Sequence, residues 1–324
     1  MLKLIKMTLE ELFQKRLIIV TGKGGVGKTT VSLALAFLNA ERKRRTILAM
    51  LGQVQKGSPF FGSKKKIDFS ERRLDKGVYA IGIDPNKALR EYIRLNFVKA
   101  FPLYAAVFKS KALQDFFEGA PGLKELITLG KVWHLGKLKT GGKDPRPKYD
   151  QVIFDAPSTG YALPLFNLPE RVLSMVQKGA FRDHVELVER FLKDPEETAF
   201  VTVTIPEEMA IKETLEVIGG AKGAGIKHAF TVVNCVYPEI FSESDREKIR
   251  DIAGQEKMGQ IMPLLTSAQS HIKKVEENRS HIRELYEADA GKLLFVNFRF
   301  KSELGLEDVA SIGKELEKQL GEWV

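Results

Sequence analysis

The sequence of 324 residues contains a single cysteine, Cys235, and this scarcity excludes several kinds of site. One thiol forms no intramolecular disulfide, and a chain with one cysteine cannot build a four-thiolate metal or cluster site by itself. A lone thiol is typical of proteins in a reducing compartment, so we expect a cytoplasmic location.

Long hydrophobic runs are also missing. No uncharged apolar segment reaches the roughly 20 residues that a helix needs to cross a bilayer. The first seven residues carry two lysines and are followed by Glu10 and Glu11, with no apolar segment typical of a secretory signal. We therefore expect a soluble chain that is not secreted and whose membrane contact, if any, is peripheral.

Basic residues outnumber acidic ones, 51 to 42, which gives a formal net charge of +9. Local basic runs lie at 41–45, at 64–66 and within 137–148. Such a balance permits contact with nucleic acid or an anionic membrane, but it equally fits a solvated surface around an anionic nucleotide. We favour the solvated surface and do not expect nucleic acid as a partner.

Short apolar, β-branched runs recur along the chain and are too apolar for half-exposed strands. They lie at 17–21, 46–50, 78–83, 151–155, 199–204, 230–234 and 293–297. Helical patterns lie between them, for example at 29–41, 208–217 and 243–252. This alternation predicts an α/β fold, a doubly wound and mainly parallel sheet with helices on both faces.

The spacing of strands and helices breaks between the third and fourth predicted strands. Residues 86–148 favour helix over most of their length and end in a polar, Gly- and Pro-rich loop. A second helical stretch, 169–193, follows the fourth strand. We predict one domain, 1–324, with an inserted helical subdomain formed by 86–148 and 169–193.

Residues 22–30 match the Walker A pattern, in which two glycines flank four residues and precede Lys-Thr. The motif comprises Gly22, Lys23, Gly24, Gly25, Val26, Gly27, Lys28, Thr29 and Thr30. It lies between a predicted strand and a predicted helix, as a phosphate-binding loop requires. The backbone N–H groups would surround phosphate oxygens, Lys28 would reach the β- and γ-phosphates, and Thr29 would coordinate Mg²⁺. The motif predicts a P-loop NTPase that binds ATP or ADP with magnesium.

Lys23 adds a second lysine to the outer side of this loop. The loop resembles the deviant Walker A motif of the family that contains MinD, ParA, nitrogenase iron protein and the arsenite-pump ATPases. There the matching lysine reaches the partner's nucleotide, so the resemblance implies a catalytic role for Lys23 and ATP-gated dimerisation, as a homodimer or as a heterodimer with a paralogue. The alternative is a solvated surface lysine.

Asp155 ends the fourth predicted strand, where an acidic residue either caps a helix or holds Mg²⁺ through water. With Thr159 and Gly160 it resembles the Asp-x-x-x-Thr-Gly-His switch of the ArsA-type ATPases, which act in arsenite pumping and tail-anchored-protein targeting. Tyr161 replaces the histidine. The resemblance implies that Asp155 and Thr29 serve the metal, and that Asp155 acts in catalysis with Lys23 and Lys28.

Further stretches, which begin at residues 83, 121, 205 and 232, extend this resemblance over most of the chain. It implies that Asn234, at the end of a strand, contacts adenine. The alternative is a polar strand end whose side chain is satisfied by backbone groups.

The first switch departs from the family pattern, because Gly52 stands where the family has a water-orienting aspartate. Glycine neither accepts a proton nor orients a nucleophile, so we expect slow ATP hydrolysis. Gln53 or Gln55 could orient water instead, or both could be ordinary loop residues. The family's zinc-binding Cys-x-x-Cys pair is absent as well, so we expect no zinc, and a targeting or arsenite role loses support.

Three functions remain open. The leading hypothesis is a dimeric ATPase switch whose helical insert changes shape with nucleotide and contacts a protein client or a membrane partner. The alternatives are a positioning ATPase like ParA or MinD, and a regulatory subunit with little turnover.

Near the C-terminus, the apolar stripe 312, 316, 320 and 323 predicts core packing rather than a membrane-binding helix. The five histidines show no metal-ligand spacing.

Overall fold

The computed structural model describes residues 7–52, 61, 66–96, 122–142, 144–253 and 261–321. Its strands are β1 Leu17–Thr21, β2 Thr46–Leu51, β3 Arg72–Arg73, β4 Tyr79–Ile83, β5 Gln151–Asp155, β6 Thr198–Thr204, β7 His228–Val236 and β8 Lys292–Asn297. Its α-helices are α1 Leu9–Gln14, α2 Lys28–Glu41, α3 Pro85–Asn96, α4 Leu123–Lys137, α5 Thr159–Met175, α6 Ala180–Lys193, α7 Glu208–Gly223, α8 Glu243–Ala253, α9 Met262–Glu287 and α10 Leu306–Gly321.

The strands form one sheet in the order β3-β4-β2-β5-β1-β6-β7-β8. Every neighbouring pair is parallel except β3 and β4, which are antiparallel. The seven predicted strands and the parallel doubly wound fold are confirmed. The eighth strand, β3, has two residues and is too short to give a periodic signal in the sequence.

The strand order places β1 in the middle of the sheet, between β5 and β6. The chain moves from β1 by way of α2 to β2 on one side, and later enters β6 on the other side. A crevice opens at the carboxyl ends of strands where the direction of winding reverses in this way. The loop that follows β1 lies at that crevice.

Both faces of the sheet are buried, as expected for a parallel sheet. All five residues of β1 and all seven of β6 are buried. Leu38 of α2 and the α10 residues Ile312, Leu316 and Leu320 belong to one core cluster. Core packing of the C-terminal stripe is therefore confirmed for those three positions, whereas Trp323 lies outside the described residues.

Helices α3 and α4 lie between β4 and β5 in the chain, and α5 and α6 lie between β5 and β6. Helix α4 packs against both α3 and α6. Residues 97–121 of the predicted insert lie outside the described part, and the boundaries of the insert stay a prediction. Within the described residues, no helix combines the length and the apolar character that spanning a membrane requires.

The second helical stretch differs from its predicted bounds. The predicted stretch begins at Pro169. Instead α5 begins at Thr159 and contains both Pro164 and Pro169. Buried packing of Ala162, Leu165 and Phe166 accompanies the earlier turns, so tertiary contacts override the local preference of proline.

Candidate functional site

Two glycines of the loop after β1 have a backbone conformation that other residues rarely adopt. Gly25 has φ +87° and Gly27, which caps α2, has φ +92°. A Cβ atom on Gly27 would lie 2.3 Å from Nδ2 of Asn234, and one on Gly22 would lie 2.0 Å from the carbonyl oxygen of Val203. The loop therefore packs directly against the ends of β6 and β7, and its glycines permit that approach.

Lys28, the first residue of α2, turns its side chain back over the loop. Its Nζ donates a hydrogen bond to the carbonyl oxygen of Lys23 at 2.9 Å. Burial lowers the pKa of Lys28, and the negative charges of Asp155 and Glu213 oppose this effect. The ammonium group thus lies above a loop whose N–H groups, together with the start of a helix, favour an anion.

Thr29 and Asp155 meet at the carboxyl edge of the sheet. The Thr29 hydroxyl donates to Oδ2 of Asp155 at 2.6 Å, and the Ser32 hydroxyl lies 3.5 Å from Oδ1. Burial raises the pKa of Asp155, while the bond from Thr29 and the charge of Lys28 lower it. A hydroxyl and a carboxylate are hard oxygen ligands, so this pair fits Mg²⁺, which prefers such donors and keeps several waters.

Lys23 lies on the outer side of the loop and contacts α7. Its Nζ is 3.4 Å from Oε1 of Glu213, and the side chains are 34% and 30% exposed. The hydroxyl of Thr159, at the start of α5, donates to Oε2 of the same carboxylate at 2.5 Å. The backbone N–H of Thr159 donates to the carbonyl oxygen of Gly22 at 3.2 Å. Glu213 therefore connects the loop, α5 and α7.

Glu213 is not marked by any pattern in the sequence. It lies in α7, 54 residues beyond Thr159, and no motif surrounds it. The side chain of Tyr161, which replaces the family's histidine, is 64% exposed. Of the predicted switch residues, the structure brings Thr159 to the loop and leaves Tyr161 at the surface.

Asn234 lies near the end of β7 and is buried. Its Nδ2 donates a hydrogen bond to the carbonyl oxygen of Val26 at 2.9 Å, which joins β7 to the loop. A backbone group thus satisfies part of this amide, as the alternative interpretation of Asn234 requires. The contact with adenine stays a prediction.

Gly52 follows β2 and has φ +77°. Its N–H donates to the carbonyl oxygen of Ile83 at 2.9 Å, and a Cβ atom at this position would meet nothing within 4 Å. The end of β2 therefore presents no carboxylate at Gly52, although there is space for one. Gln53 and Gln55, the two predicted substitutes, lie outside the described residues.

The predicted site residues all lie at the carboxyl ends of the central strands, where β1 and its neighbours border the loop. They are Lys23, Lys28, Thr29, Asp155 and Asn234. Their roles toward nucleotide and metal stay predictions. The arrangement has the parts needed to bind a magnesium–triphosphate: a loop of N–H groups, a lysine above it, and two oxygen ligands beside it.

Comparisons with known proteins agree with this geometry. The family model described as anion-transporting ATPase matches residues 15–183 and 177–264. ATPase BagA of Mycobacterium tuberculosis is 28% identical over 239 residues, which cover 72% of this chain and 68% of the relative. ATPase get3 of Aspergillus terreus is 26% identical over 270 residues, covering 71% of this chain and 76% of the relative. ATPase GET3 of Kluyveromyces lactis is 26% identical over 232 residues, which cover 61% of this chain and 66% of the relative. With matches over most of its length and a P-loop at the winding reversal of its sheet, this chain belongs to the anion-transporting ATPase family of the ArsA type.

Proposed function

We propose that this chain is an ATP-driven dimeric switch. It binds Mg-ATP at residues 22–30, hydrolyses it slowly, and couples the nucleotide state to movement of the helical insert, whose described helices are α3 to α6. Those helices contact a partner, either a protein client or a membrane component. The ATPase names of the relatives and the membership of the family support the hydrolase activity.

The observation that carries this proposal is the position of Lys23. Its ammonium group lies on the outer side of the loop, partly exposed, while Lys28 lies above the loop. One lysine thus serves the chain's own phosphates, and the other is accessible to a second subunit. A phosphate on a facing subunit would be a stronger partner for Lys23 than the half-buried Glu213 carboxylate, because it carries more charge.

Chemistry at the site depends on charge neutralisation. Magnesium, when bound, would neutralise charge on the β- and γ-phosphates and keep them aligned. Thr29 and Asp155 would hold it, and Lys28 would add a positive charge at the transferred phosphoryl group. Because Gly52 has no side chain to orient the attacking water, we expect turnover to be slow.

Coupling to the helices runs through Asp155 and Thr159. Asp155 contacts Thr29 of the loop, and four residues later Thr159 begins α5 and bonds to Glu213. Helix α5 packs against α6, and α6 packs against α4. A γ-phosphate that shifts the segment after Asp155 would therefore displace α5 and, through it, the helices that meet the partner.

The proposal is tested by turnover with Mg-ATP together with molecular mass from analytical ultracentrifugation, without nucleotide, with ADP and with a non-hydrolysable ATP analogue. We expect a dimer with the analogue and weaker dimerisation after Lys23→Ala. Lys314→Ala is the matched control, because Lys314 is an exposed lysine on α10 and is not part of the loop. A monomer under all three conditions, alone and with a paralogue present, would contradict the proposal.

A second candidate function rests on Gly52 alone. A chain without a water-orienting side chain at this position would bind nucleotide without turning it over, and would act as the regulatory subunit of a heterodimer. Tight ATP binding by the purified chain with no measurable phosphate release would favour this candidate. The cytoplasmic location of the chain stays a prediction under either function.

A further inference from the structure

Helices α3, α4 and α6 line a partly open cavity of about 280 Å³. None of the loop residues 22–30 lines it, so it is separate from the candidate nucleotide site. Most of its wall is apolar, with contributions from Leu95, Leu126, Ile127, Trp133, Phe181 and Val188. Small-molecule sites in proteins combine such a wall with a few polar groups.

Gly130 keeps this cavity open. It lies in the interior of α4 and lines the cavity, and a Cβ atom on it would meet nothing within 4 Å. A glycine in the interior of a helix costs stability relative to alanine, so a larger residue would favour the helix and would also fill the space. Because residue 130 is a glycine, no side chain fills this part of the cavity.

Four uncharged polar side chains line the cavity beside these apolar ones, those of Tyr92, Asn96, His134 and His184. The Asn96 amide donates to the carbonyl oxygen of Tyr92 at 2.8 Å. The Tyr92 hydroxyl and Nδ1 of His184 are hydrogen-bonded at 2.9 Å. Among the described residues, none makes a hydrogen bond to the ring of His134. Burial and the nearby charge of Lys131 lower the pKa of His134, so at neutral pH its imidazole is uncharged and offers one donor and one acceptor.

The charged groups of the wall compensate each other. Nζ of Lys131 lies 2.6 Å from Oε2 of Glu91, and the Lys131 side chain is only 8% exposed. The same ammonium group lies over the ring of Phe69 at 5.0 Å. Because a buried charge that is already paired gains little from a second partner, the wall favours an uncharged ligand over an ion.

We propose that this cavity binds a small uncharged molecule that is mainly apolar and carries one hydroxyl or amide group, which hydrogen-bonds to His134. A cavity of about 150 Å³ holds benzene, so the larger volume here suits a ligand of roughly ten non-hydrogen atoms. No sequence pattern indicates this site, because His134 and His184 are far apart in the chain and line one cavity only through the packing of α4 against α6.

The probe for this proposal is 1-octanol, and Trp133 is the reporter. The chain has two tryptophans, so Trp323→Phe leaves the cavity residue Trp133 as the only one. Titration of the Trp323→Phe chain with 1-octanol should give a saturable change in fluorescence, and calorimetry should give one site per chain. The measurement needs no nucleotide, so its result is independent of the ATPase proposal.

Variants separate binding in the cavity from adsorption at the surface. Gly130→Leu fills the cavity and should weaken 1-octanol binding at least about tenfold. Gly219→Leu is the control, because Gly219 is an exposed glycine of α7 with open space at its Cβ. His134→Phe keeps an apolar wall but removes the hydrogen bond, and should weaken binding roughly fivefold. Each variant is accepted only if it keeps the thermal transition of the parent chain, and His134→Phe carries the test if Gly130→Leu does not fold.

Charged analogues test the chemical class. Octanoate and octylammonium should bind at least about tenfold more weakly than 1-octanol, because the wall offers no unpaired buried charge. Lys87, Arg90 and Arg94 line a separate groove next to Glu91, and an anion bound there would be insensitive to Gly130→Leu. Absence of saturable 1-octanol binding, equal binding by both leucine variants, or tighter binding of octanoate would each overturn the proposal.

Discussion

The ammonium group of Lys23 lies 3.4 Å from the carboxylate of Glu213, in the same chain. If Lys23 serves a second subunit, this contact must break when the dimer forms. A partly exposed ion pair of this kind contributes about 0–1 kcal/mol, so it opposes dimerisation weakly. Glu213 is held at the same time by the Thr159 hydroxyl, which keeps it beside the loop.

Glu213→Gln should therefore strengthen ATP-linked dimerisation, by about threefold, which corresponds to the upper part of that energy range. The amide oxygen can still accept the bond from Thr159, so the change removes the charge and keeps the geometry. Sedimentation with a non-hydrolysable ATP analogue measures the effect. Glu216→Gln, at an exposed position of the same helix, is the control and should leave the dimer constant unchanged. Weaker dimerisation in Glu213→Gln would instead assign Glu213 to the dimer contact itself.

Lys28→Ala should abolish the thermal stabilisation that ATP confers. The mutation removes the positive charge above the loop, where the β- and γ-phosphates are predicted to lie. At 100 times its dissociation constant, a ligand that binds only the folded chain contributes about 2.7 kcal/mol, which gives a clear shift in the unfolding temperature. Lys314→Ala should retain the full shift. An undiminished shift in Lys28→Ala would refute the assignment of the loop.

Asp155 should make the nucleotide-free chain less stable as the pH rises. Burial raises the pKa of Asp155 in the folded chain above its ordinary value of 3.8, which applies to the unfolded chain. At a pH between the ordinary pKa and the raised pKa, the folded chain therefore binds more protons than the unfolded chain. Stability falls with rising pH in that range and stays lower above it. Asp155→Asn removes this dependence, so its advantage in unfolding temperature should grow as the pH is raised from 3.8 through the folded-state pKa.

Two further measurements separate this effect from a general loss of charge. Asp251→Asn, at an exposed position in α8, should follow the wild-type pH profile. With Mg-ATP the order should reverse, because Asp155→Asn loses a metal ligand and gains less stability from the nucleotide. An Asp155→Asn chain with wild-type stabilisation by Mg-ATP would remove Asp155 from the metal site.

Hydrogen exchange should distinguish the nucleotide states in the helices on either side of β5 in the chain. Peptides from α5 and α4 should exchange differently with ADP and with a non-hydrolysable ATP analogue, because α5 begins at the Thr159 contact with Glu213. Helix α10 is an internal control, since its apolar residues are buried against the opposite part of the core. Equal exchange in both states would leave α4 and α5 as static parts of the fold and would remove the output of the switch.

The features that the sequence predicts correctly are local ones. Strands β1 and β6 are buried on both faces, and their apolar and β-branched residues form short runs that can be recognised without knowledge of their neighbours. The P-loop is also local, because nine consecutive residues carry it. The first turns of α5 precede the predicted start at Pro169, and the burial of Phe166 that accompanies them depends on the whole fold.

The features that the sequence does not reveal depend on distant contacts. Glu213 becomes part of the candidate site only because α7 packs beside the loop and the start of α5. His134 and His184 lack any common spacing, and they share a cavity only after α4 and α6 have packed. Such pairings follow from tertiary structure, and a sequence pattern that reports periodicity along one element cannot contain them.

Gly52 gives the last prediction, which concerns the rate of hydrolysis. With Lys28, Thr29 and Asp155 in place, charge at the transferred phosphoryl group is still stabilised, but no side chain at Gly52 orients the water. Loss of such a group costs on the order of 100-fold in rate, so we expect wild-type turnover below about one per minute. Gly52→Asp should raise the turnover rate, because a Cβ atom at this position meets no other atom within 4 Å.

The positive φ of +77° at position 52 costs an aspartate about 1 kcal/mol of stability, a strain that asparagine shares. Gly52→Asn is therefore the matched control, with the same backbone strain and no carboxylate, and it should not accelerate hydrolysis. If Asp and Asn raise phosphate release equally, or if the wild type already turns over several times per second, another residue orients the water.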